Sequence, residues 1–472
     1  MNIPTTFRRI GRLGVALAAL LGFAGASRAD AQTTPPDLFL HGVPSGAPTA
    51  GPIELTIDDA VTRGLKANLA LIQQQNRETR AGADKLSALS SLLPSVNGQA
   101  GKVRQKVSLA AFGFTGFPGL DSTLIGPFNV VDARVDVSGT LLDLSANAAL
   151  SEKSALARAE THTTGYTRQQ IVFAIALLYY QSLAADSRLA AIKTQAATAE
   201  ALDHLAQDQK AAGIVAGIDV LRQDVLLESA RQRVVMAGND AEKARLRLAR
   251  AIGMPIGQQF ELTGALAYAA APPMTVDAAV AQAYSQREDL KGADERTKAA
   301  DAAVRAATYS RLPTIHFDAN YGKIGNSTSD VLGTYSAAAM VRVPLFDGGA
   351  ARARALRARA DVTARKADGD DERAGVYYEV RTALLDLDAA DAAVRLASHG
   401  RDLANLQLTQ ARDRFAAGVA STIELTQAQE SVATADDNYI ALLFSHVVAK
   451  AALARALGTP EAALTQYLGG HK

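Results

Sequence analysis

The chain has 472 residues, with 49 basic against 48 acidic side chains, and it contains no cysteine. The near-zero net charge excludes the large basic surface that nucleic-acid binding requires. The missing cysteine excludes disulfides, thiolate metal sites, cysteine nucleophiles and a lipid-modified N-terminal cysteine. With no tryptophan and 5% aromatic residues, the composition favours long helices with narrow contacts over a bulky globular core.

The N-terminal segment has the pattern of a signal peptide. Basic residues at 8–12 precede an apolar run at 13–24, and small residues follow up to Ala31. We therefore predict a signal peptide over 1–31, since the apolar run is shorter than the ~20 residues of a spanning helix. The longest apolar stretch beyond it, at 171–180, is also too short to span a membrane. Any membrane insertion is expected to use β-strands.

A unit of roughly 200 residues occurs twice in the chain. Three pairs of similar segments identify it: LTIDDAV at 55–61 with MTVDAAV at 274–280, AGIVAGIDV at 212–220 with AGVASTIEL at 417–425, and LARAIGMP at 248–255 with LARALGTP at 453–460. The predicted organisation is a signal peptide (1–31), an N-terminal linker (32–54), a first repeat (55–256), an inter-repeat linker (257–273), a second repeat (274–460) and a C-terminal tail (461–472).

Each repeat is predicted to begin with one helix followed by two strands. The helices, at about 56–93 and 275–312, end before Pro94 and Pro313, because the residue before a proline avoids helical geometry. Apolar and polar side chains then alternate, as at 131–138 and 315–321, which is typical of half-buried strands. The predicted strands cover about 96–107 and 128–142 in the first repeat and about 314–324 and 336–346 in the second.

Two long helices are predicted to complete each repeat. The longer ones, at about 146–212 and 350–417, would reach ~100 Å at ~1.5 Å per residue, which predicts a rod or a tube. The returning helices, at about 218–253 and 423–458, carry apolar or small residues at alternating steps of three and four. This heptad seam indicates helix pairing, and a plain antiparallel coiled coil explains it as well as a channel does. The seam positions run Val220, Gln223, Leu227, Ala230, Val234, Ala237, Ala241, Ala244, Leu248 and Ala251, and then Leu425, Ala428, Val432, Ala435, Tyr439, Leu442, His446, Ala449, Leu453 and Ala456.

The predicted strands favour a membrane barrel built from several chains. Four strands per chain are too few to close such a barrel, whose smallest form has about eight, and open strands do not stay unpaired. Strands with one apolar face suit lipid outside and water inside; a soluble β-sandwich is the alternative. The segment at 108–129, rich in Gly, Phe and Pro, is expected to form a hairpin loop outside the membrane.

Each pair of long helices is predicted to turn at a glycine. Gly213 and Gly418 stand where a left-handed residue can cap the incoming helix. Asp219 and Glu424 follow in the first turn of the outgoing helices. These acids have two interpretations: they stabilise the positive helix end, or copies from symmetry-related chains ring the mouth of a tube and favour cations.

The segment VPLFDGG at 343–349 and the duplicated glycine-turn-acid tips resemble the TolC-type outer-membrane efflux family. The resemblance covers Leu55 to Pro460. It implies a mostly α fold with a small β part, in which duplicated units of long antiparallel coiled-coil helices carry two inserted strands. It also implies a homotrimer, with a 12-stranded β-barrel (three chains of four strands) in the outer membrane and an α-helical barrel extending into the periplasm.

The resemblance further implies a function, partners and site residues. The protein would be the outer-membrane channel of a tripartite efflux or type I secretion system, a passive exit duct set in outer-membrane lipid. Substrates would come from an inner-membrane pump of RND, ABC or MFS type through a periplasmic adaptor (membrane fusion) protein. The implied residues are Glu424, Gln427 and Asp219 at the periplasmic entrance constriction, Gly213, Ile214, Gly418 and Val419 at the adaptor-contacting helix tips, and Pro344, Leu345, Phe346, Asp347, Gly348 and Gly349 at the strand-helix junction.

The chain departs from the family pattern at the entrance. Gln427 occupies a position that is commonly acidic in the family, which predicts a less charged gate. Phe415 and Ala420 stand where a Tyr and an Arg can hold the entrance shut, so a lock of those residues with Asp219 is not expected.

Other classes of protein fit the sequence less well. No HExxH, Walker A, GxGxxG or GxSxG motif is present, so we predict no catalytic residues, no cofactor, no metal site and no enzymatic activity. A periplasmic coiled-coil adaptor or scaffold protein is the alternative function. An adaptor would normally show one helical hairpin flanked by β domains, whereas here the strands lie inside each repeat.

Overall fold

The computed structural model describes residues 37–113 and 123–460. The predicted signal peptide, the predicted C-terminal tail and the middle of the predicted loop at 108–129 lie outside these ranges. The helices are α1 (Ile57–Ala67), α2 (Leu69–Ser90), α3 (Leu144–Ala211), α4 (Gly217–Ala251), α5 (Val276–Gln286), α6 (Glu288–Tyr309), α7 (Ala350–Ala416) and α8 (Thr422–Ala456). The strands are β1 (Ile53–Leu55), β2 (Ser95–Ser108), β3 (Leu124–Leu142), β4 (Phe260–Leu262), β5 (Thr314–Ser327) and β6 (Asp330–Arg342).

The helix predicted at the start of each repeat is in fact two helices, so the prediction of one continuous helix is wrong. In the first repeat the break falls at Asn68, whose backbone is extended and whose side chain accepts a hydrogen bond from the Ala70 N–H at 2.9 Å. The Asn68 amide also donates to the Phe39 carbonyl at 2.7 Å. In the second repeat the break falls at Arg287. A break of one residue keeps the apolar pattern nearly in phase, so periodicity does not reveal it.

The two segments predicted to be linkers contain a small parallel sheet. β1 pairs with β4, with Ile53 opposite Phe260, and the Tyr179 hydroxyl on α3 donates to the Leu55 carbonyl at 3.2 Å. Ile53 and Glu54 of β1 fall in the predicted N-terminal linker (32–54), and β4 falls in the predicted inter-repeat linker (257–273). Strands of three residues are too short for alternation to show in the sequence.

The long helices pack as two antiparallel pairs, α3 with α4 and α7 with α8. All the seam positions predicted on α4 are buried except Val234, and those on α8 are buried except Ala435, Tyr439 and Leu442. Small residues at the seam allow the close helix approach that the sequence implies.

One helix among the described residues, α8, is long and apolar enough to cross a membrane by length and composition alone. Within the fold, 61% of its apolar window is buried. A core helix passes the same test, so this feature is weak evidence for a membrane helix.

The remaining strands form one antiparallel sheet in the order β2-β3-β5-β6. β6 begins and ends earlier than the predicted strand at 336–346, because Pro344 cannot donate to a ladder and the chain leaves the sheet after Arg342. β3 begins at Leu124, before the predicted start at 128. In the described part of the chain, β2 and β6 each have one unpaired edge.

The two faces of this sheet differ in polarity, since residues directly opposite each other in an antiparallel pair share a face. The apolar face carries Val131, Ala133, Val135 and Val137 of β3, Phe317, Ala319 and Tyr321 of β5, and Tyr335, Ala337 and Ala339 of β6. The polar face carries Asp132, Arg134 and Asp136 of β3, Asp318 and Asn320 of β5, and Thr334 and Ser336 of β6. No helix packs extensively on either face.

Candidate functional site: the helix tips and the strand-helix junction

The two helix tips have the same backbone turn. In the first, Gly213 has φ +75°, the Ile214 N–H donates to the Gln209 carbonyl at 2.8 Å, and the Gly213 N–H donates to the Lys210 carbonyl at 3.0 Å. This is the Schellman pattern, in which a left-handed residue satisfies the last carbonyls of the helix. The predicted role of Gly213 as a helix cap is confirmed.

The second tip repeats this pattern one for one. Gly418 has φ +73°, the Val419 N–H donates to the Arg414 carbonyl at 3.0 Å, and the Gly418 N–H donates to the Phe415 carbonyl at 2.9 Å. A side chain at either glycine would be strained, because L-residues rarely adopt positive φ. The duplicated backbone therefore demands glycine at both tips.

The residues that follow each glycine are apolar and exposed. Ile214 is 61% exposed and Val419 is 68% exposed. Behind them, the first turns of α4 and α8 line a groove of about 480 Å³ that includes Ile218, Leu221 and Ile423. Exposed apolar side chains at a loop end are typical of a surface that contacts another protein.

The two predicted entrance acids are bonded differently. Asp219 accepts a hydrogen bond from the Thr422 hydroxyl at 3.0 Å and lies 3.3 Å from the Arg222 guanidinium. Because Thr422 is the first residue of α8, this bond joins the first hairpin to the second. Glu424 is paired with Arg414 at 3.4 Å, on the rim of its own hairpin. Gln427 is exposed.

A second bond joins the hairpins a turn further in. The buried Gln209 amide on α3 donates to the Phe415 carbonyl on α7 at 3.2 Å. The Phe415 ring itself is buried against Leu202 and Leu425, so it packs as a core residue. Ala420 is partly buried at the edge of the same cluster. Near the tips, the hydrogen bonds between the hairpins use Thr422, Asp219, Gln209 and the Phe415 carbonyl.

Sequence reasoning missed Thr422 and Gln209 as tip residues. The repeat offset of 205 places Thr422 opposite Gly217, so a glycine in one copy corresponds to a hydrogen-bond donor in the other. The presence of Thr422 in place of glycine was the sequence signal that could have identified this donor. Nothing comparable marks Gln209 in the sequence.

Two buried polar side chains lie between α3 and α4 near the first tip. Gln223 is fully buried, and neither atom of its amide has a partner among the described residues. Asp203 is also buried; burial and the nearby Asp224 carboxylate raise the pKa of Asp203, while His204 opposes the shift. Buried polar groups without full hydrogen bonding weaken a helix pair.

The strand-helix junction of the second repeat is built around Asp347. Its carboxylate accepts from the Gly349 N–H at 3.0 Å and from the Ala351 N–H at 2.5 Å, and these backbone bonds hold its pKa below the usual range. Gly348 and Gly349 both have positive φ, which turns the chain from the sheet into α7. Pro344 precedes the turn, and Leu345 (92%) and Phe346 (91%) are exposed.

No group of three or more His, Cys, Asp or Glu side chains that could hold a metal ion occurs within residues 37–113 and 123–460. The tips and the junction combine exposed apolar side chains with glycine turns, and hydrogen bonds join the two hairpins at the tips.

Comparison with known proteins identifies the class. The pattern of the outer membrane efflux protein family matches residues 61–254 and 279–459, which fall within the two repeats. The chain belongs to this family. This efflux protein is similar to Protein CyaE of Bordetella pertussis, with 28% identity over 476 residues that cover 96% of each chain. It is also similar to the pyoverdine export outer membrane protein OpmQ of Pseudomonas aeruginosa, with 23% identity over 413 residues and 85% of each chain covered.

The fold is similar to that of the Campylobacter jejuni CmeC outer membrane channel, with a TM-score of 0.73 at 15% identity and 86% of each chain covered. The efflux protein is therefore an outer-membrane channel component of export systems, and its place is the outer membrane. The predicted resemblance is confirmed. The family consists of outer membrane efflux proteins.

Proposed function

We propose that this efflux protein works as a homotrimer, in which three four-stranded sheets form one 12-stranded barrel and the long helices form a tunnel below it. The sheet carries this proposal. It has two unpaired edges, one apolar exposed face and one polar face. Backbone groups that lack partners in lipid are unfavourable by several kcal/mol each, so the edges of β2 and β6 need neighbours from other chains.

The polarity of the sheet sets its orientation in the barrel. The face with Val135 and Tyr321 would meet lipid, and the face with Arg134 and Asn320 would line a water-filled lumen. On the lumen face, Arg134 pairs with Asp132 at 2.6 Å, so the charges there are partly matched. A soluble sandwich would need a second layer over the apolar face, and no described element covers it.

At the other end, the helix tips would form the periplasmic entrance. Copies of Asp219, Glu424 and Gln427 would narrow it, and the acids would favour cations. Gly213, Ile214, Gly418 and Val419 would present the exposed apolar turns to a periplasmic adaptor. An inner-membrane pump of RND, ABC or MFS type would supply the energy, since passage through the duct is passive.

The test is the mass and the single-channel conductance of the detergent-purified protein. We expect a species of three chains, each of at most 49.4 kDa, with a small, cation-biased conductance in a planar bilayer. A protein that is water-soluble, monomeric and without conductance would contradict the duct and support the adaptor or scaffold alternative.

A further inference from the structure

The apolar face of the sheet ends in basic side chains on the side away from the helices. Lys102 of β2 lies opposite Val131, and Lys323 of β5 lies opposite Ala133, so both lysines share the apolar face. Arg104 lies two residues beyond Lys102 on that face. All three side chains are exposed.

These side chains stand at the height where a barrel leaves the hydrocarbon. Lys323 lies nine positions along β5 from Thr314, where β5 leaves the helices. At ~3.3 Å per residue and a strand tilt of ~40°, that is a rise of about 23 Å, close to the ~25 Å apolar band of membrane barrels. Lys102 lies one row further out. The hairpin turn between β5 and β6 lies at the same end, so this rim faces the outside of the cell.

The charge of this rim is unmatched within the described chain. No ion pair involves Lys102, Arg104 or Lys323 in residues 37–113 and 123–460. The nearest acids along β3, Asp132 and Asp136, point to the opposite face. An anion supplied by the surroundings would complete this rim.

A shallow depression lies directly below these charges. It measures about 460 Å³, its floor includes the small residues Gly98, Ala100 and Ala133, and Tyr321 and Lys323 stand at its side. A Cβ placed on Gly98 would meet no atom within 4 Å, so the floor is open. Tyr321 lies opposite the exposed Tyr335, and tyrosines are enriched where barrels meet the membrane surface.

We propose that this rim and depression bind a phosphorylated glycolipid of the outer leaflet, of the lipid A type. Lys102, Arg104 and Lys323 bind its phosphate groups, with Arg104 able to bind two phosphate oxygens at once. One acyl chain lies along Gly98 and Ala100 beside the Tyr321 ring. The site rests on the proposed barrel, because only the barrel places this face in lipid.

The test is native mass spectrometry of the full detergent-purified trimer, titrated with bisphosphorylated lipid A and with the same lipid after removal of its phosphates. We expect the wild-type protein to prefer the phosphorylated lipid by about ten-fold or more, since charge-assisted hydrogen bonds from three basic side chains to the phosphates are lost with the dephosphorylated lipid. K102Q/R104Q/K323Q removes that preference. The matched control R77Q/R80Q/K85Q, which changes three exposed basic residues of α2, retains it.

A second variant tests the acyl-chain half of the site. Gly98→Leu fills the depression, and we expect it to weaken lipid A binding several-fold while the preference for the phosphorylated form remains. Equal binding of both lipids by the wild-type protein, or an unchanged preference in K102Q/R104Q/K323Q, overturns the proposal. Displacement of the lipid by millimolar inorganic phosphate also overturns it, in favour of a free-phosphate site. If the proposed barrel itself is wrong, the wild-type protein will show neither the mass of a trimer nor conductance, which distinguishes that outcome from failure of the lipid site.

Discussion

The two hairpins of this efflux protein have the same turn and different side chains around it. Both turns use a left-handed glycine and the same pair of capping bonds. The next residues diverge: Gly217 begins α4 where Thr422 begins α8, and Ala241 lies on the first seam where His446 lies on the second. Duplication preserved the backbone, and substitution in one copy produced bonds that the other copy cannot make.

The largest expected effect comes from substituting the left-handed glycine that both hairpin turns share. Gly213→Val and Gly418→Val place a β-branched residue at positive φ, and we expect each to destabilise its tip by about 1–2 kcal/mol. The trimer should persist while export falls. Hydrogen exchange at the tips, together with an export assay, measures this.

The control for the glycine variants is Gly238→Ala. Gly238 lies inside α4 with open space around it, so the substitution should be neutral or stabilising by up to ~1 kcal/mol. Normal export in both tip variants would contradict a role for the tips in docking an adaptor.

The next largest effect is expected from removing the hydrogen bond that joins the two hairpins. Thr422→Val removes the donor to Asp219, and we expect a loss of about 1 kcal/mol in tip closure, since Asp219 remains beside Arg222. Single-channel recordings should show a higher mean conductance. Thr426→Val is the matched control, because the Thr426 hydroxyl donates only to the Thr422 carbonyl in its own helix.

A double-mutant cycle with Asp219→Asn tests whether these two residues act together. If the bond joins the hairpins, Thr422→Val should add little in the Asp219→Asn background. Strictly additive effects on conductance would show that the two side chains act independently.

A smaller effect is expected from pH, which should change the stability of the second seam and leave that of the first unchanged. Burial lowers the pKa of His446, the positive charge of Lys450 adds to the shift, and Asp391 opposes it. Asp391 also accepts from the Tyr268 hydroxyl at 2.5 Å and pairs with Arg395 at 3.0 Å. A base whose folded pKa is lowered stays neutral in the fold while the unfolded chain takes up a proton. The stability it contributes is therefore complete above about pH 6.5.

That stability is lost as the pH falls below this value toward the lowered pKa of the folded protein. Hydrogen exchange should thus show α8 opening more readily at pH 5.5 than at pH 7.5 near His446, with α4 near Ala241 unchanged. His446→Gln should remove the difference. Equal pH responses in the two helices would contradict this account.

The smallest effect is expected at the entrance acid. Glu424→Gln should reduce cation preference in bilayer conductance by about two-fold and change stability by less than ~0.5 kcal/mol, because the Glu424–Arg414 pair is exposed. Asp402→Asn, which removes the charge of an exposed acid on α7 away from the tips, serves as the control for a general loss of negative surface charge. Unchanged selectivity in Glu424→Gln would remove Glu424 from the constriction.

The repeat offset made much of this fold predictable. It located both glycine turns, the seams and the strand-helix junction, because these depend on local periodicity and backbone geometry. The breaks at Asn68 and Arg287 were missed, since one-residue interruptions barely change the apolar phase. The β1–β4 pair was missed because pairing across the repeats depends on distant residues. The Thr422–Asp219 bond was missed for the same reason, although the repeat offset marked Thr422 as a donor in place of Gly217.

The central claim is that the sheets of three chains join edge to edge, β6 of one to β2 of the next. The chain has no cysteine, so disulfides can form only between cysteines that are introduced. We would combine Gln99→Cys on β2 with Thr334→Cys or Ala338→Cys on β6, all on the polar face, and oxidise the protein in outer-membrane vesicles. At least one pair should yield a covalent trimer on denaturing gels, and each single-cysteine variant should not. Monomers with every pair, from protein that is inserted and folded, would contradict the shared barrel.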